Sequence, residues 1–267
     1  KQLFISQSAV SQSIKVLEKK LNQTLFIRST KRVQLTPEGE ILLKHVEPAM
    51  NLIRKGENQL LEANTLNGGQ LRIGASDTIC RYYLVDHLKE FHLRYPNVHI
   101  KVTNQTSIEC AHLLENGQVD FIITNYPNSG LSNTQNIRMI NEFHDVFVAD
   151  RDRFPLEGKK LSLQELQKYP ILMLDRKSTT SEFLHRMFQR SQLDLVPEIE
   201  LSSNDLLIDL ARIGLGIAFV PDFCIPKDEK QLYVLDLEES LPARQMVVAY
   251  NENLPISQAA RQFMDML

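Results

Sequence analysis

The chain has 267 residues, of which 43% are hydrophobic and 24% charged, and a formal net charge of -3. This is the composition of an ordinary globular protein long enough for two domains, and no apolar run approaches a membrane span, so no membrane contact is expected. Three widely spaced cysteines, Cys80, Cys110 and Cys224, argue against a disulfide framework and fit a reducing cytosol, which predicts a cytoplasmic protein. The chain opens on Lys1 rather than Met and has no signal-peptide pattern, so its natural start is expected upstream.

The net charge hides an asymmetry. Residues 1–58 hold Lys1, Lys15, Lys19, Lys20, Arg28, Lys31, Arg32, Lys44, Arg54 and Lys55 against Glu18, Glu38, Glu40, Glu47 and Glu57. A basic end on an acidic chain suits a local contact with nucleic acid, although a solvated helix face reads the same way. Residues 6–21 read as a helix capped by Ser6, with Val10, Ile14, Leu17 and Leu21 as its apolar stripe. Gln7, Ser8, Ser11, Gln12 and Lys15 lie off that stripe and offer the short amides and hydroxyls that can read base edges in a major groove. Residues 25–28 and 33–36 are strand-like, and the basic turn Ser29-Thr30-Lys31-Arg32 between them predicts a wing whose Arg28, Lys31 and Arg32 reach phosphates.

Thr36-Pro37-Glu38 starts a second helix, predicted to run to about Leu66. Leu42, Val46, Ala49, Ile53, Gly56, Leu60 and Ala63 recur at heptad spacing, a seam for a homodimer that would set two reading helices on successive half-sites. Together the run from Leu3 to Ile14, Leu17-Glu18 to Leu21, Leu25-Phe26-Ile27-Arg28 and Leu35-Thr36-Pro37-Glu38-Gly39 resembles the LysR-type transcriptional regulators. Ser8 stands where many members have Pro, and Gln12 where many have Arg, which alters the base-reading face. The family's first helix and most of its second would precede Lys1. The resemblance implies a bacterial DNA-binding regulator, an α/β chain built as an N-terminal winged helix-turn-helix with a long linker helix followed by a two-lobe, type 2 periplasmic-binding-protein-like effector domain. It also implies a homodimer through the linker helix, assembling further into a homotetramer on double-stranded DNA.

After Gly68-Gly69 the period changes. Strands are predicted at 71–75, 98–102, 119–123, 171–174, 199–201 and 217–220, with helices between them, and one more strand and helix follow from Gln245. Alternation of this kind means an α/β domain with a largely parallel sheet. The domains are set at 1–66 and 67–267, the latter with one lobe at about 70–149 and 237–267 and a second at about 150–236, so the chain crosses near Asp150 and near Asp236. Strand-to-helix turns carry the polar chemistry: Ser76-Asp77-Thr78, Thr106-Ser107, Ser178-Thr179-Thr180 and Ser202-Ser203-Asn204. Helix N-termini outside strand ends favour anions, which points to an organic acid or other anion as the small-molecule effector. Thr106 with Glu109 and Thr179 with Glu182 also have capping-box spacing, which needs no ligand. The resemblance raises Ser76 and Thr106 as effector contacts, with Thr78, Ser107, Thr124, Ser203 and Asn204 lining the implied cleft. Arg176 and Lys177 are candidates to pair with a carboxylate.

No catalytic, metal or cofactor motif is found. Gly214-Leu215-Gly216 lacks the third glycine of a dinucleotide fingerprint and leads into a strand; His87 and His92 are five apart and share no metal-binding face. Cys80 or Cys110 near helix starts could act as a redox sensor or simply as small buried residues. Two other readings are open: a periplasmic-type solute-binding protein, which the basic first segment disfavours, and an enzyme on the same lobe pair, for which no acid–base pair is evident.

Overall fold

The computed structural model describes residues 6–28, 32–63, 69–132, 135–251 and 254–267. It divides into two compact units, Lys1–Arg54 and Lys55–Leu267. In the first, α1 (Gln7–Leu21) starts at Ser6, whose hydroxyl accepts the Ala9 N–H, and stops at Asn22, which takes the left-handed conformation that Asn tolerates. β1 (Phe26–Arg28) pairs antiparallel with β2 (Val33–Leu35), with Phe26 opposite Leu35. The Glu18 carboxylate accepts from the backbone N–H groups of Leu25 (2.8 Å) and Phe26 (3.2 Å) and so pins this hairpin to α1. Ser29, Thr30 and Lys31, the expected wing tip, lie outside the described residues.

Thr36 then caps α2 (Pro37–Ala63): its hydroxyl accepts from the Gly39 N–H at 3.0 Å and donates to the Thr24 carbonyl at 2.6 Å. A Cβ at position 39 would sit 2.2 Å from the Leu25 carbonyl oxygen, so glycine is what lets α2 begin this close to the hairpin. The helix continues through Pro48. Its predicted end near Leu66, and the expected domain boundary there, fall on undescribed residues.

In the second unit the chain runs β3 (Gly69–Ala75), α3 (Asp77–Ile79), a π turn (Cys80–Leu84), α4 (Val85–Arg94), β4 (Val98–Asn104), α5 (Ser107–Glu115), β5 (Phe121–Tyr126) and β6 (Asn136–Phe143). It continues with β7 (Asp145–Asp150), β8 (Lys160–Leu161), α6 (Leu163–Leu166), β9 (Ile171–Leu174), α7 (Thr179–Arg190), β10 (Ile199–Leu201) and α8 (Asn204–Arg212). β11 (Ile217–Pro221), a 3-10 turn (Asp222–Cys224), β12 (Leu232–Val234), β13 (Asp236–Leu237), β14 (Arg244–Tyr250) and α9 (Gln258–Met266) complete it. One sheet has the order β4-β3-β5-β14-β6 and the other β10-β9-β11-β7-β12. Each has two parallel pairings followed by two antiparallel ones, so the sheets are mixed rather than largely parallel.

These strand memberships correct the expected crossings. β7 pairs with β11 and β12, so residues 145–150 belong to the second lobe, and the chain crosses through the single residue His144. It returns after β13, which still pairs with β8, and before β14, within residues 238–243. Aromatic and aliphatic side chains fill each lobe: Phe91, Phe121 and Phe263 beneath the first sheet, and Phe147, Phe188 and Phe219 beneath the second. Lys55, from the part of α2 in this unit, is buried with its ammonium 2.9 Å from Asp120, which also accepts from the Arg72 guanidinium and backbone N–H.

Candidate functional site

Four helices of the second unit begin at one cavity of about 410 Å³ between the lobes. Each start is capped by a hydroxyl: Ser76 accepts from the Ile79 N–H, Thr106 from Glu109, Ser178 from Ser181 and Ser203 from Leu206. The sequence reason is the same each time. A strand ends, and a Ser or Thr takes the extended conformation and satisfies an amide that the helix cannot. The cap of α7 is Ser178, so Thr179 is the first helical residue and not the expected cap of a Thr179–Glu182 box.

The cavity brings together Ser76, Thr78, Thr106, Ser107, Ser203 and Asn204 of the predicted contacts, and adds Asn104, Gln105, Asn125, Leu174 and Asp175. Thr124 is not among them. It is fully buried in β5, where its hydroxyl accepts from the Asn128 side chain at 2.8 Å. Arg176 and Lys177 do not line the cavity either, and none of its described lining residues is Lys, Arg or His. The site therefore offers helix-end amides, hydroxyls and side-chain amides, with Asp77 and Asp175 at its edge. Asp77 is held by the Asn104 amide at 3.0 Å. The carbonyl oxygens of Asn125 and Asn204 are buried without a hydrogen-bond partner.

The lobes meet through specific polar pairs. The Asn204 amide donates to the Thr78 hydroxyl at 2.8 Å, and Tyr82, on the π turn, donates to Asp205 at 2.5 Å. Burial and that carboxylate together push the Tyr82 hydroxyl well above its ordinary range. At the crossings, Arg244 opens β14 and Asp145 opens β7. They form an ion pair of 2.7 Å with side-chain exposures of 1% and 0%. The guanidinium also donates to Thr180 of the cavity wall at 3.1 Å, and lies 5.4 Å and 5.1 Å from the ring centres of Phe143 and Phe183. Arg244 Nε and Nη2 and one Asp145 oxygen have no further partner, and burial is the main force raising the Asp145 carboxyl above its usual range.

In the first unit, Gln7, Ser8, Gln12 and Lys15 are exposed along α1, and Ser11 is half-buried. Ser6 bonds Ser8 at 2.8 Å in addition to capping, and Arg28 donates to the Ser11 hydroxyl. Arg28 and Arg32 are exposed. Lys31 lies outside the described residues. No group of His, Cys, Asp and Glu among the described residues could hold a metal ion, and no helix there is long and apolar enough to cross a membrane. Burial raises the Cys80 thiol to about 11 and the Cys110 thiol to about 12, which disfavours the thiolate that a redox sensor would use.

Residues 64–267 match the LysR substrate binding domain, and residues 1–40 match the bacterial regulatory helix-turn-helix protein, lysR family. A protein of Trichormus variabilis named "Probable RuBisCO transcriptional regulator" is 29% identical over 98% of this chain and 79% of its own. The HTH-type transcriptional activator CmpR of Synechocystis is 26% identical over all of this chain and 87% of its own. The Synechocystis CcmR regulatory domain in complex with 2-PG superposes with a TM-score of 0.67 at 24% identity, covering 74% of this chain and 94% of that one. A full-length OxyR variant from Pseudomonas aeruginosa gives 0.71 at 20% identity, over 98% and 85%. The helix-turn-helix match removes the solute-binding reading, since both halves of the chain point the same way. The chain belongs to the LysR family of transcriptional regulators, with a DNA-binding helix-turn-helix at its start and an effector-binding α/β domain after it.

Proposed function

We propose that this regulator binds a small organic acid in the cavity between its lobes and that occupancy changes its grip on DNA. The observation that carries the reading is the convergence of four hydroxyl-capped helix starts on one cavity with no cationic side chain among its described lining residues. Helix N-termini supply the positive end of each dipole and spare amides, so an anionic group is held by backbone while side-chain hydroxyls and amides select the remainder. The CcmR regulatory domain in complex with 2-PG supports ligand binding by a domain of this fold. Binding that favours one lobe closure shifts the population of states, and the shift is bounded by the ligand's differential affinity for them.

Gln7, Ser8, Ser11 and Gln12 would read base edges from α1, and Ser6, Lys15, Arg28, Lys31 and Arg32 would position the helix on phosphates. Two chains would pair through α2, whose Val46 and Ile53 are exposed in the single chain, and two such dimers would form the tetramer. The protein would act in the cytoplasm and turn over no substrate.

A mobility-shift assay on its own upstream DNA, with organic acids chosen by thermal shift, tests this reading. Ser76→Ala and Thr106→Ala should each weaken the effector response about fivefold, the worth of one hydrogen bond, with basal DNA binding unchanged. Normal responses in both variants would remove the site.

A further inference from the structure

A second cavity, of about 510 Å³, lies along the outer side of α7. Its wall includes Ser181 and His185, one helical turn apart and so on one face. Ser181 is fully buried and its hydroxyl has no hydrogen-bond partner; the His185 Nε2 is likewise buried and unpartnered. Two unpartnered polar atoms on residues one helical turn apart in this wall are an unmet demand for a ligand that accepts from both. Arg176 stands at the same end, before the helix start, and forms no ion pair among the described residues. Burial, with Arg176 nearby, holds His185 neutral by lowering its pKa.

The other lining charges narrow the ligand. Glu182 receives the Ser129 hydroxyl at 2.8 Å, Arg186 donates to the Glu182 backbone carbonyl, and Asp194 lies past the end of α7. Two guanidinium groups and two carboxylates leave no surplus positive field, and the cation beside Ser181 and His185, Arg176, matches a single negative charge. Leu193 and Leu195, just past the end of α7, add an apolar end to the wall.

We propose that this cavity is a second small-molecule site, specific for a monocarboxylate with an apolar remainder. The carboxylate accepts from the Ser181 hydroxyl and the His185 Nε2–H beside Arg176, and the remainder lies on Leu193 and Leu195. The site is separate from the effector cavity yet adjoins it, because Thr180 lines one and Ser181 the other. It also touches both lobes, through Ser129 of the first and α7 of the second.

The test uses the full chain with hexanoate as probe and inorganic phosphate as the dianion control, following the His185 ring resonances by NMR and the melting temperature. Hexanoate should shift those resonances saturably and raise the melting temperature, with phosphate bound at least tenfold more weakly. Ser181→Ala and Arg176→Gln, both checked for an unchanged fold by melting, should each weaken hexanoate about tenfold. Ser202→Trp, which fills the effector cavity, should leave hexanoate binding intact. The proposal is overturned by no saturable shift at His185, by equal binding of phosphate, by indifference to both wall substitutions, or by loss of binding in Ser202→Trp. Failure here leaves the effector cavity standing, because that reading is tested by organic acids whose effect Ser202→Trp abolishes.

Discussion

Arg244 and Asp145 join the two lobes at the points where the chain crosses between them. Taking two charges out of water is costly, and the ion pair, the Thr180 hydroxyl and two aromatic faces return part of that cost. Asp145→Asn or Arg244→Met leaves the other group uncompensated and should destabilise the domain by about 3–5 kcal/mol. The double variant Arg244→Met with Asp145→Asn should cost less than the sum of the two singles, and additive costs in urea unfolding would show that the pair is not coupled. The cysteines make a pH-dependent prediction. A raised thiol pKa means less thiolate at a given pH, so at about pH 8 a disulfide reagent should label native Cys80 and Cys110 far more slowly than the unfolded chain. Labelling should accelerate as pH rises toward about 11, the range of Cys80. Fast labelling near neutrality would restore the redox reading. The capping hydroxyls were legible because strand, turn and helix signals are local. Arg244 was not, since its partner lies 99 residues away and no spacing rule connects them. Thr124 was misplaced because a strand buried on both faces shows no alternation to tell the cavity side from the core.

At the scale of elements, α2 carries the clearest prediction. Val46 and Ile53 of its heptad seam are 44% and 55% exposed, and Leu60 is 71% exposed. Val46→Glu with Ile53→Glu should convert dimers to monomers in sedimentation equilibrium while far-ultraviolet circular dichroism keeps its helical content; an unchanged mass would remove α2 as the seam. Elements with strong endings were read closely: β9 and β10 fall where the sequence put them, and α5 ends just before Gly117, which has a positive φ. β6 and β7 were missed because residues 136–150 contain no Gly or Pro to mark the change of lobe, and β6 is an edge strand with mixed polar and apolar residues. The π turn at Cys80–Leu84 had no signature in the residue pattern, and it carries the Tyr82 that meets Asp205 across the lobes.

For the whole molecule, the anion preference proposed for the cavity would come from helix ends, since no described lining residue is Lys, Arg or His. Such binding draws little on long-range charge, so effector affinity should change little with salt, whereas DNA affinity should fall steeply as salt rises. A matching steep salt dependence for both would mean that side-chain cations hold the effector. Whole-chain organisation was legible because a basic winged segment, a heptad helix and two α/β runs agree with one another. The effector's identity was not, because hydroxyls and amides fit many small acids. The most direct measurement is a mobility-shift titration on the protein's own upstream DNA with the organic acid that most raises its melting temperature, comparing the native chain with Ser202→Trp. Ser202 lines the cavity without capping a helix, so filling it blocks the site and spares the fold. The proposed effector site predicts that the native chain's DNA affinity or complex mobility changes with the acid while Ser202→Trp binds DNA equally well and ignores it. An identical response in the two proteins would contradict it.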